Sequence, residues 1–274
     1  STASADIPAE QAATTARKLI KITSDQLELL VDTQGGDIVE AKLLTHTVSQ
    51  DSKEPFTLLM DKPGRLYVAQ SGLIGRDGPD SRPEGRPSYS SAQTEYQLAD
   101  DQNKLVVPFT WTNSDGVTFT KEFTLTRGQY TVAVHYKVTN SNVKPLELQF
   151  YGQLKQTIAA PADQQSHAFM ASAYRGAAYS TSEARYQKET FDTMKETNLN
   201  TSTQGGWVGM LQHYFVSAWT GESNGQNNLY TRVVNNGQDA IIGLKEPLTT
   251  LAPGATTTLG ATLWVGPKLQ DEMA

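Results

Sequence analysis

From Lys18 onward apolar and polar side chains alternate in short runs broken by turn residues. Alternation at two residues places successive side chains on opposite faces, the signature of β-strands rather than helices. KLIKIT and LELLVD flank Ser24-Asp25, and Gly35-Gly36 starts a third strand running through Ile38 and Ala41 to Leu44. Strands over 104–112 and 117–126 flank Asn113-Ser114-Asp115-Gly116, a hairpin turn by composition, and Arg127-Gly128-Gln129 leads into 130–139. There Tyr130, Val132, Val134, Tyr136 and Val138 share one face, and His135 lies on the polar one. Further strands are expected at about 146–158, 206–220, 228–233, 239–244 and 256–265. So many short strands with little helical periodicity predict an all-β chain, a very large sandwich over 18–265. Gly266-Pro267 then opens KLQDEMA, read as a short C-terminal helix beginning over 266–274.

The run GGWVGMLQHYFVSAW (205–219) is the longest aromatic and apolar stretch. Read as one strand, it lines one side with Trp207, Leu211, Phe215 and Trp219 and the other with Val208, Met210, Tyr214, Val216 and Ala218. Both faces are mostly apolar, so the strand must be covered on two sides.

Two segments break the alternation. Residues 1–17 are small, polar and aperiodic, and they read as a disordered linker that cannot offset its ordering entropy by burial. Residues 71–90, SGLIGRDGPDSRPEGRPSYS, combine Gly, Pro, Arg, Asp and Ser without an apolar period, and a loop of that length is expected to be functional or mobile.

Composition narrows the chemistry. A chain of 274 residues can bury roughly 70–75% of its unfolded surface without staples. It has no cysteine, which excludes disulfides, thiolate metal sites and a cysteine nucleophile. A net charge of -6 argues against duplex nucleic acid and against an anionic membrane surface as partners. No stretch approaches the roughly 18–20 apolar residues of a membrane-spanning helix.

His46, His135, His167 and His213 are scattered without metal-ligand spacing, and His213 is the best candidate among them because its surroundings are aromatic. Asp77-Gly78-Pro79-Asp80 lacks the ligand alternation of a calcium loop, and Arg76, Arg82 and Arg86 are better placed to pair with its carboxylates. There is no serine elbow, no dinucleotide fingerprint and no phosphate loop, so neither a cofactor nor a metal is expected. Tyr174-Arg175-Gly176-Ala177-Ala178-Tyr179-Ser180 fits an exposed binding edge, since Tyr and Arg concentrate at interfaces. It fits a bend at a sheet corner equally well.

Six segments in order, DTQGGDI (32–38), AQSGLIGRDGPD (69–80), YGQLKQ (151–156), YRGAAYS (174–180), GGWVGMLQHYF (205–215) and TLWVGPK (262–268), resemble the first large periplasmic domain of the bacterial YidC membrane-protein insertase family. The resemblance runs from about Lys18 to Ala274. It implies a β-supersandwich of the galactose-mutarotase-like kind, with 1–17 as the linker from a missing transmembrane helix and 266–274 as the start of a connecting helix. It also implies a non-catalytic role at the periplasmic face of the inner membrane, contacts with SecD and SecF of the Sec translocon, and possible contacts with nascent membrane proteins. Tyr174, Arg175, Tyr179, Tyr214 and Trp219 are the side chains expected to bind a partner. The rival reading is a carbohydrate-binding or mutarotase-like protein, favoured if a pocket holds His213 or His135 within reach of a carboxylate. A passive spacer is the third.

Overall fold

The computed structural model describes residues 6–8, 17–160, 174–222 and 224–268. Two sheets face each other. The larger contains β1 (Leu19–Thr23), β2 (Leu27–Asp32), β3 (Ile38–Thr47), β4 (Pro55–Lys62), β5 (Arg65–Ile74), β6 (Glu95–Gln97), β10 (Leu146–Thr157), β13 (Asn200–Gln204), β16 (Gln226–Val234), β17 (Asp239–Lys245) and β18 (Thr249–Leu251). The smaller contains β7 (Lys104–Thr112), β8 (Thr118–Thr126), β9 (Thr131–Thr139), β11 (Arg175–Ser180), β12 (Gln187–Glu189), β14 (Trp207–Gln212), β15 (Phe215–Gly221) and β19 (Thr256–Pro267). The larger runs β13-β16-β17-β10-β5-β4-β3-β2-β1-β6 with β18 on β10, and the smaller β12-β11-β14-β15-β19-β9-β8-β7. This is the expected all-β sandwich.

The core lies between them because each strand turns one apolar row inward. On β9 that row is Val132, Val134, Tyr136 and Val138, all buried, with His135 on the opposite face as the alternation predicts. The larger sheet answers with Leu29, Leu148, Phe150, Leu154, Ile242 and Leu244.

The run 206–220 differs from expectation: it is a hairpin, with Gln212 paired to Phe215 across a two-residue loop of His213 and Tyr214. A two-residue loop reverses the parity of the faces. Val208, Met210 and Trp219 therefore belong to the main core, while Leu211 and Val216 cluster on the outer face with Trp207, Ala218 and Trp264. No Gly, Asn or Asp marks the turn, so alternation alone reads through it. Its first residue, His213, adopts φ +56°, a backbone that favours glycine, and its Nε2 is buried without a hydrogen-bond partner among the described residues. His213→Gly is expected to stabilise the domain by about 1 kcal/mol. The check is a thermal midpoint, which should rise by about 2–4 °C.

Gly205-Gly206, at φ +71° and +85°, carries the chain from β13 in one sheet to β14 in the other. A Cβ on Gly206 would stand 2.5 Å from the Ser180 carbonyl oxygen, so the crossing is closed to larger residues.

Residues 71–90, expected to be a functional or mobile loop, are largely packed against the sheet. Ser71 to Ile74 finish β5, and the remainder folds over the sheet through a short 3₁₀ turn, Pro79–Ser81, burying Asp80, Arg86 and Tyr89. Its polar composition serves an internal ion cluster rather than solvent. A short helix absent from the period-two pattern, α1 (Phe191–Glu196), is capped by Thr190, whose Oγ1 accepts from the Thr193 amide. Of the C-terminal helix expected over 266–274, Gly266 and Pro267 instead complete β19, and the residues beyond Lys268 fall outside the described residues, as does His167. So does most of 1–17, of which 6–8 and 17 are described. Among the described residues no helix is long and apolar enough to cross a membrane.

Candidate functional site

The outer face of the larger sheet holds a cleft of about 910 Å³, bordered by β2 to β5, β10, β16 and β17. Its floor is an ion cluster assembled from three of the sequence segments singled out above. Arg86 donates from Nη1 to Asp37 Oδ2 at 2.6 Å and from Nε to Asp80 Oδ1 at 2.8 Å, and Asp80 Oδ2 accepts the Leu73 amide at 2.9 Å. Arg86 Nη2 and Lys121 Nζ both donate to the carbonyl oxygens of Gly35 and Ser71, at 2.8–3.1 Å. Gly35-Gly36 fits between the two cations: a Cβ on Gly35 would lie 2.5 Å from Arg86 Cζ, and one on Gly36 would lie 2.8 Å from Lys121 Cδ. Of the arginines expected to pair in this segment, Arg86 holds Asp80 and Arg76 holds Asp77 at 3.1 Å. Arg82 instead donates to the carbonyls of Pro79 and Gly85 and lies over the Trp111 ring.

Lys121 was not singled out by sequence reasoning, although the signal was present. On β8 it occupies the inward row between Phe119 and Phe123 and is fully buried. Burial pushes its ammonium down to about 7, against the opposing pull of Asp37 and Asp80. Burial alone would raise the Asp37 carboxyl, but Arg86 and then Lys121 hold it below the usual range. Between pH 7 and the ordinary lysine value the unfolded chain binds one more proton at Lys121 than the folded chain. The contribution of this group to stability therefore rises with pH over that window, and its full penalty applies below it. Lys121→Met is expected to fare best relative to the parent at pH 6 and to lose that advantage by pH 9. Urea midpoints at the two pH values check the sign.

The remaining cleft carboxylates are also engaged. Asp32 and Asp61 accept from Arg17 at 3.0 and 2.7 Å, and Asp239 accepts from Asn235 at 3.2 Å. No histidine or glutamate is among the described residues that line the cleft. A histidine–carboxylate pair does exist, His135 Nε2 to Glu222 Oε2 at 2.7 Å, but it lies on the partly exposed outer face of the smaller sheet, away from the cleft. His46 meets the Tyr130 hydroxyl at 3.1 Å. Among the described residues no acidic and histidine side chains cluster as a metal site would require.

The five side chains expected to bind a partner separate into three environments. Trp219 is a correction: it is fully buried, edge-on to Phe150, and its Nε1 donates to the Gln153 carbonyl at 3.1 Å. Its place on the inward row of β15 removes it from any surface. Tyr179 is half-buried against the main core, and burial with nearby Glu189 raises its phenol. Tyr174, Arg175 and Tyr214 lie near one end of the smaller sheet, because β11 pairs with β14 and sets Arg175 beside Gln212, but Tyr174 packs on the outer cluster while Arg175 turns to the opposite face. There Arg175 donates to the carbonyls of Thr157 and Ile158, and burial lowers its guanidinium. The Tyr174 hydroxyl donates to the Ala177 carbonyl at 2.8 Å, and burial with Glu189 pushes its phenol up to about 12. Burial, then Arg175, lowers the His213 imidazole. Tyr214 alone projects, 82% exposed, at the hairpin tip, where its carbonyl accepts the Lys268 amide at 2.7 Å.

Two-sheet architecture and an outer cleft do not by themselves distinguish a sugar enzyme from a recognition domain. The family described as YidC periplasmic domain matches residues 19–274, nearly the whole chain. The chain belongs to the YidC periplasmic domain family. It is 58% identical over 272 residues to a membrane protein insertase YidC from Aeromonas hydrophila subsp. hydrophila and 57% identical to one from Aeromonas salmonicida. Each match covers 98% of this chain and 50% of the relative, so the chain spans about half the length of these relatives. Among solved structures, a galactose mutarotase related enzyme from Lactobacillus acidophilus superposes with a TM-score of 0.58 at 11% identity, covering 92% of this chain and 100% of that one. Identity that low shows a shared fold and nothing of shared chemistry. For this member of the YidC periplasmic domain family, the segments that carried the resemblance are largely structural: they build the ion cluster, the sheet crossing and the hairpin.

Proposed function

We propose that this chain is the non-catalytic periplasmic domain of an inner-membrane insertase. It sits at the periplasmic face and docks the Sec accessory subunits SecD and SecF while membrane proteins are inserted. The observation that carries this reading is Tyr214, a large aromatic 82% exposed on a two-residue turn between paired strands. An exposed tyrosine, with only two side-chain torsions to order, offers contact area at low entropic cost, the usual character of a binding anchor. Tyr174 and Arg175 stand at the start of the neighbouring strand, where β11 pairs with β14. Nascent membrane proteins would meet the same end of the sandwich.

Among the described residues the mutarotase-like alternative lacks its central requirement, because the cleft's carboxylates are bonded to Arg17, Arg86 and Asn235 and the His135–Glu222 pair lies elsewhere. A photo-crosslinking amino acid placed at position 214 of the full-length protein tests the docking reading against one at Val143, which is 86% exposed. Crosslinks to SecD or SecF from 214 and none from 143 are expected. Equal yields from both positions would remove the assignment.

A further inference from the structure

Ile7 is only 8% exposed, yet it lies outside the main core, in a separate apolar cluster with Tyr151, Tyr230 and Ile241 on the outer face of the larger sheet. Beside it the Asp6 carboxylate stands 3.5 Å from Lys245 Nζ, and Pro8 lines the cleft. The notch that receives Ile7 is built without it. Tyr230 donates to Gln153 at 2.7 Å, Gln153 to Gln70 at 2.9 Å, and Gln70 to Asp37 at 3.0 Å, a chain of bonds that ties the notch wall to the buried ion cluster.

We propose that the cleft is a groove for an extended peptide carrying an acidic residue, a branched aliphatic residue and a proline in succession, and that Asp6-Ile7-Pro8 occupies it in cis. Each part of that sequence meets a matching feature. The acid meets Lys245, the aliphatic side chain meets an apolar notch of Tyr151, Tyr230 and Ile241, and the proline holds the preceding residue extended, which lowers the ordering cost. A sugar would leave the apolar notch empty and would find the cleft carboxylates already bonded. Tethering gives the chain's own segment an effective concentration on the order of millimolar, so a free peptide enters only when the anchor is removed.

The test uses the full chain with Ile7→Asp and a fluorescent peptide of residues 4–10, SADIPAE. Ile7 is outside the main core, so the variant is expected to stay folded, with a thermal midpoint lower by about 3–6 °C, the shift that corresponds to losing a tenfold self-occupancy of the groove. Saturable binding at least tenfold tighter than to the parent is expected, with loss when the peptide's isoleucine is replaced by aspartate and weakening in a Lys245→Glu background. Because the chain has no cysteine, Ile7→Cys provides a single thiol for a second measurement. Its modification by maleimide is expected to be at least tenfold slower than that of Val143→Cys. Equal thiol rates, absence of peptide binding to Ile7→Asp at millimolar peptide, or equal binding to parent and variant would overturn the proposal. Neither assay contains a Sec subunit, so its outcome is separate from that of the docking reading.

Discussion

Arg86→Met is expected to destabilise the domain by about 3–5 kcal/mol, the usual cost of stranding a buried charge by removing its partner. Two carboxylates lose their ion pairs at once, Asp37 and Asp80, and Asp80 is 1% exposed with no water to turn to. A domain of this size moves by about 2–4 °C per kcal/mol, so the thermal midpoint should fall by about 6–20 °C. Lys121→Met is the informative contrast. The carbonyls of Gly35 and Ser71 that lose Lys121 keep Arg86 Nη2 as donor, and an ammonium whose burial already disfavours its charge is exchanged for a side chain of similar volume. Replacement of a buried charge by a packed apolar group is often neutral or stabilising. Near-neutral behaviour of Lys121→Met beside a large loss in Arg86→Met would establish that the arginine organises the cluster. Equal losses would show the two cations to be interdependent.

Trp219→Ala is expected to cost about 3–5 kcal/mol through the cavity left between the sheets. The indole is fully buried and bridges the two layers by its hydrogen bond to the Gln153 carbonyl. Tyr214→Ala at the hairpin tip of the same β14–β15 unit should stay within about 0.5 kcal/mol of the parent, as exposed substitutions do. Denaturant unfolding of the two variants separates them. A large loss at Tyr214, or a small one at Trp219, would reverse the assignment of core and surface.

The two residues show how far sequence reaches. Period-two alternation defines strands wherever turn residues punctuate them, as at Asn113-Ser114-Asp115-Gly116, which separates β7 from β8. It fails at His213-Tyr214, where an aromatic pair turns the chain without any of the usual turn residues. The missed turn inverted the parity of everything after it and put Trp219 on the same footing as Tyr214. The segment 71–90 is legible only in part for a related reason: the pairing of its arginines with Asp77 and Asp80 is readable, its burial is not. Gly, Pro and charge normally mark solvated backbone, and only the fold shows that Asp80 and Arg86 meet Asp37 from β2–β3 and Lys121 from the other sheet. That pairing joins residues far apart in sequence, and local pattern carries no term for it. Lys121 itself was legible as an in-phase charge between two inward phenylalanines. The cleft was not, because its walls come from seven strands of one sheet.

Titration of purified SecD–SecF against the domain and its Tyr214→Ala variant decides whether Tyr214 anchors a recognition surface. Saturable binding by the parent and at least tenfold weaker binding by the variant, at unchanged thermal stability, are expected. Equal affinity of the two proteins, or no binding by the parent, would contradict that role.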